Sequence, residues 1–176
     1  MMHVSINWLY AAKERLRSIV KLCGVGLVAA PLLAQAVTLP PSFGGATEPN
    51  WTLRSYAWLT AAGRSTPSPV SAIDAPGQGW LRLTDAQTNQ SGSAVYNTPF
   101  SSSDGVQAEF EYATWGGNGA DGFTFYLLDG SVSNPPAGAI GGSLGYSSSG
   151  SGRGVPKGYL GIGFDEYGNF SHSTYG

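Results

Sequence analysis

A chain of 176 residues with 26 glycines and one cysteine allows one domain and excludes an internal disulfide framework. Beyond residue 36 it carries five Lys/Arg against ten Asp/Glu, a formal charge of −5, which gives nucleic acid or an anionic membrane no electrostatic hold. That same stretch has no cysteine, so a thiolate metal site is excluded and the fold must rest on its apolar core.

The N-terminal 36 residues differ from the rest. Lys13, Arg15, Arg17 and Lys21 precede Leu22–Ala36, an uncharged run that closes on Ala34-Gln35-Ala36. A basic region, a short apolar stretch and a small-x-small site describe a secretory signal peptide over 1–36, with 37–176 as the mature part. The competing reading is an uncleaved membrane anchor, but the apolar run is shorter than the roughly 20 residues that span a bilayer. Export places the mature chain outside the cell, secreted or at the cell surface.

After residue 37 helical periodicity gives way to short apolar runs punctuated by Gly, Ser, Asn and Pro. The expected strands are 51–59, 79–83, 93–96, 106–114, 122–128 and 159–165. Over 106–114, Val106, Ala108, Phe110 and Tyr112 alternate with Gln107, Glu109 and Glu111, the pattern of a strand with one buried face. Residues 122–128 (GFTFYLL) are nearly continuously apolar, which predicts a central strand buried on both sides. Short strands with Gly-rich connections predict an all-β antiparallel sandwich or jelly roll. The sequence stops at Gly176, directly after the loop-like FSHSTYG, so the sandwich is expected to be incomplete at its C-terminus.

Two motifs have better-known meanings that their context opposes. Gly117-Asn118-Gly119-Ala120-Asp121-Gly122 satisfies G-x-G-x-x-G, but a strand follows it where a dinucleotide loop needs a helix. Gly141-Gly142-Ser143-Leu144-Gly145 satisfies G-x-S-x-G, with Asp165 and His172 following in the order of a hydrolase triad. That elbow requires a strand-to-helix turn, and 146–158 has no helical sequence. The remaining constellation is Asp121 at the mouth of a strand, the Gly141-Gly142 pair, and Asp165, Tyr167 and Asn169 at alternate positions after an apolar run. Oxygen ligands so spaced suit a hard cation such as calcium. A carboxylate, an amide, a backbone N–H and an aromatic ring are also the groups that bind a sugar. Ordinary turn residues would read the same way.

Three segments carry a resemblance. Gly119-Ala120-Asp121-Gly122-Phe123-Thr124-Phe125-Tyr126-Leu127, Gly142-Ser143-Leu144-Gly145 and Leu160-Gly161-Ile162-Gly163-Phe164-Asp165-Glu166-Tyr167-Gly168-Asn169 resemble, in order and separation, the three motifs of the L-type (legume-type) lectins. The resemblance covers most of 43–169 and implies a concanavalin A-like sandwich that binds glycans without catalysis. It implies a sugar-binding carboxylate at Asp121, following a cis Ala120–Asp121 peptide, and a sugar-directed N–H at Gly142. Asp165 would be a calcium ligand, Tyr167 a carbonyl ligand whose ring stacks on sugar, and Asn169 a ligand to both metal and sugar. The pattern is broken at Gly163, where the family has a Glu, and at His172, where it has an Asp. A manganese-type site is therefore expected to be lost.

Two other functions compete. One is a structural module of a large surface adhesin with no sugar affinity; beyond glycans, the expected partners are a second copy in a homo-oligomer or a larger surface protein. The other is a glycoside hydrolase on the same fold, which needs two carboxylates about 5–5.5 Å apart. Gly163 removes the carboxylate that would share a face with Asp165, while Glu166 points to the other face.

Overall fold

The computed structural model of the chain describes residues 2–5, 43–102 and 106–174, the first segment through its backbone. The regular structure there consists of strands and one short 3₁₀ turn, so the described chain is all-β. The strands are β1 (Met2–Ser5), β2 (Trp51–Ser55), β3 (Trp58–Leu59), β4 (Leu81–Thr84), β5 (Gly92–Tyr96), β6 (Glu111–Thr114), β7 (Gly122–Leu128) and β8 (Gly158–Asp165). No helix among the described residues is long and apolar enough to cross a membrane. The span read as a leader lies outside the described residues apart from β1.

Among the described residues every ladder is antiparallel, and the ladders form three sheets. One is four-stranded, in the order β3-β4-β1-β6; the others are the pairs β2-β5 and β7-β8. In the longest ladder Gly122 lies opposite Asp165 and Phe123 opposite Phe164, so the start of β7 and the end of β8 meet at one edge.

Two expected strands are shorter than their patterns. Residues 51–59 break into β2 and β3 because Ser55 turns to φ 53° and the Ala57 N–H bonds back to the Arg54 carbonyl. Of residues 106–114 only 111–114 enter a ladder. Phe110, just outside it, still packs inward against Phe123 and Phe164. Strand β7 has the expected limits but is not buried on both sides. Among the described residues it pairs with β8 alone, and Phe123 is its one buried residue.

Among the described residues the core has two parts. Phe43, Ala57, Leu59 and Leu81 form the first, flanked by Trp51, Leu53, Leu83 and Ala94. The second centres on Phe123, whose ring stacks on Phe164 with centroids 4.5 Å apart and planes 2° apart. Leu83 touches both and joins them. Beside the first core, Trp58 lies between two guanidinium groups, 5.9 Å from Arg64 and 5.6 Å from Arg82. Asp85 pairs with both arginines, at 2.8 Å and 3.5 Å, so one carboxylate offsets part of the charge of two buried, stacked cations.

Candidate functional site

Three segments meet at the edge where β7 begins and β8 ends. The first is Ala120-Asp121, joined by a cis peptide and leading into β7. The second is the turn Gly141–Ser143, closed by Leu144 in the left-handed region at φ 49°. The third is the loop that leaves β8 after Asp165.

Backbone hydrogen bonds tie the first segment to the third. The Asp121 carbonyl accepts the N–H of Glu166 at 3.0 Å and that of Tyr167 at 3.2 Å. The second segment meets the third through a missing side chain. A Cβ on Gly142 would stand 2.8–2.9 Å from the Asn169 carboxamide, so the amide occupies the space that glycine leaves open. Gly142 is buried, and Asn169 Oδ1 is buried with no hydrogen-bond partner among the described residues.

Asp165 organises the loop. Its Oδ1 accepts the Gly168 N–H at 2.8 Å and its Oδ2 accepts the Phe170 N–H at 2.7 Å. Desolvation pushes this carboxyl up, but the N–H groups of Phe170, Gly168, Tyr167 and Asn169 outweigh it and hold the carboxyl below its ordinary value. Tyr167 projects from the loop with 66% of its surface exposed, which leaves a ring face free for a ligand. Asp121 is half-buried and lines a large cavity together with Gly141, Ile140 and Glu166. Gly142, Tyr167 and Asn169 do not line that cavity; they lie beside its rim.

The structure therefore brings Asp121 to the Tyr167 backbone and Gly142 to the Asn169 side chain. No family model, curated protein or solved structure matches this chain.

The loop's capacity for calcium is limited. Asp165, Tyr167 and Asn169 offer a carboxylate, a carbonyl and an amide oxygen from one loop, whereas calcium takes six to eight oxygens. Both Asp165 oxygens already accept backbone N–H groups. Among the described residues no group of three His, Cys, Asp or Glu side chains could hold a metal ion. These residues would hold calcium only with further oxygens from outside the loop.

At Gly163, the position where the family pattern has Glu, a Cβ would run into the Phe170 ring. An aromatic lid thus lies where the carboxylate would stand. At the other motif, Ser143 is fully buried and its hydroxyl donates to the Ser148 carbonyl at 3.2 Å. The turn around it is 3₁₀ with no helix after it, so the triad geometry is not built. Sequence reasoning overlooked Phe170, which caps Gly163 and bonds Asp165 through its N–H. An aromatic residue directly after the Asn was the available signal.

Proposed function

We propose that the chain is an exported carbohydrate-binding, lectin-like module that holds glycans without turning them over. In this reading the strands belong to a concanavalin A-like sandwich, and the site is built from Asp121, Gly142, Tyr167 and Asn169. The observation that carries it is the placement of the Asn169 carboxamide against Gly142, on a loop tied through its backbone to Asp121. That arrangement gathers a carboxylate, an amide with an unpartnered oxygen and an exposed phenol ring at one edge. Such a set can chelate neighbouring hydroxyls and cover an apolar sugar face. Calcium at Asp165, Tyr167 and Asn169 is an assisting part of the proposal, with its own test.

A glycan array probed with the full chain, with and without a chelator, tests the reading. Binding to at least one glycan class is expected, and Asp121→Ala should abolish it. Two charge-assisted hydrogen bonds of about 1.5–3 kcal/mol each are lost, which weakens binding by at least a hundredfold. Tyr167→Ala should weaken binding by a smaller factor through the lost ring. A chelator that halves the signal would establish the calcium part alone. Release of reducing sugar would favour the hydrolase, and a silent array with folded protein would favour the adhesin module.

A further inference from the structure

Strands β2 and β7 carry polar side chains that the rim site does not use. On β2, Trp51 and Leu53 pack against the Phe43 core, which turns Thr52 and Arg54 to the other side. On β7, Phe123 packs on Phe164, which turns Thr124 and Tyr126 to the other side. Arg54, Thr124 and Tyr126 line a single cavity of about 2180 Å³. Four of their polar atoms are buried and have no hydrogen-bond partner among the described residues: Arg54 Nε, Arg54 Nη2, Thr124 Oγ1 and Tyr126 Oη.

The identity of these atoms narrows the ligand. Nε and Nη2 are the two donors along one edge of a guanidinium, parallel and spaced for the two oxygens of one carboxylate. Burial pushes the Tyr126 phenol up and the Arg54 charge opposes that shift, so the two side chains lie within electrostatic reach. A phenol that stays protonated is a donor, and Thr124 supplies a second hydroxyl. Among the described residues Arg54 is the one Lys or Arg along the cavity, whose wall also carries Asp85, Glu109, Asp121, Asp129 and Glu166. A dianion would meet more repulsion than attraction there. Val95 stands opposite Thr52 and so shares Arg54's side of the β2–β5 pair, which favours an apolar body behind the acid group.

We propose that Arg54, Thr124 and Tyr126 form a second binding site, on β2 and β7 rather than on the rim loops, that takes an organic monocarboxylate with an apolar body. The side-on edge of Arg54 receives both carboxylate oxygens, and the Tyr126 and Thr124 hydroxyls donate to the same oxygens.

Thermal unfolding of the full chain against benzoate, with benzamide as the uncharged control, tests this. Benzoate up to about 50 mM should raise the midpoint by a few degrees while benzamide leaves it unchanged, because a ligand that binds only the folded state stabilises it. Each variant is compared with its own ligand-free midpoint, so a change in basal stability does not mask the result. Arg54→Gln should remove the benzoate shift. Tyr126→Phe should keep the fold and weaken benzoate roughly fivefold, the effect of one hydrogen bond. Equal shifts with benzamide, or an undiminished shift in Arg54→Gln, would overturn the proposal. So would self-association that benzoate reverses, since the carboxylate would then come from a second copy of the chain.

Discussion

At Gly142 a single hydrogen stands between a turn and the Asn169 amide. Alanine there would push its methyl to 2.8–2.9 Å from the carboxamide, so the amide must swing away. Overpacking of this kind costs about 1–3 kcal/mol. Gly142→Ala should therefore lose glycan binding with only a modest fall in the unfolding midpoint, whereas a folded variant with unchanged affinity would remove Asn169 from the site. Asp165 offers a second test through pH. Its carboxyl lies below the ordinary value of 3.8 because loop N–H groups bond the charged form. A depressed carboxyl contributes stability that is full above the unfolded value and is lost as pH falls through the folded one. The Gly168 and Phe170 amide resonances should accordingly titrate below pH 3.8, in one step, when followed by NMR. A midpoint at or above that value would mean that the carboxylate does not anchor the loop.

Among the elements, the limits of β7 are the most legible in the sequence. GFTFYLL is dense in β-formers, and Asp129-Gly130 follows it as a turn signal. Its burial was not legible, because a run of apolar residues says nothing about how many neighbours a strand finds. The alternation in 106–114 has the same limit: period two assigns faces, but a ladder needs a partner, and 106–110 has none in register among the described residues. The break after Ser55 has no local signal, since serine at positive φ is held by the turn around it. The Arg64–Asp85–Arg82 group around Trp58 depends on residues up to 21 positions apart and shows no motif. The rim loops were legible as an ordered set of motifs, whereas the cap of Phe170 over Gly163 was not. Placing a methyl at 163 forces that ring aside, so Gly163→Ala should lower stability by about 1–3 kcal/mol. Phe170→Ala opens the space, and the double variant should be more stable than the sum of the single effects implies, by about 1 kcal/mol. Strict additivity in denaturant melts would show that the ring does not cap this position.

At the scale of the whole molecule, the short strand near the N-terminus sets the export reading against the fold. Met2–Ser5 pairs with Leu81–Thr84 on one side and with Glu111–Thr114 on the other. Strand β6 has no other ladder among the described residues, so β1 is what attaches it to β4. Yet Met2–Ser5 lies within the span read as a cleavable leader. Cleavage after Ala36 would withdraw β1 and leave facing edges on β4 and β6, each with unpaired N–H and C=O groups. The packing of Phe110 on Phe123 and of Tyr112 on Phe164 would keep β6 near the second core after that loss, because side chains rather than the ladder hold it there. Secreted protein should therefore begin at Val37 and remain folded, with its aromatic core intact. Its amides at 111–114 should exchange with deuterium faster than in the uncleaved chain, because the ladder that protects them has gone. Terminal sequencing and exchange mass spectrometry on the two forms decide the matter. A secreted form that keeps residues 2–5, or equal protection at 111–114 in both forms, would show that β1 is not surrendered on export.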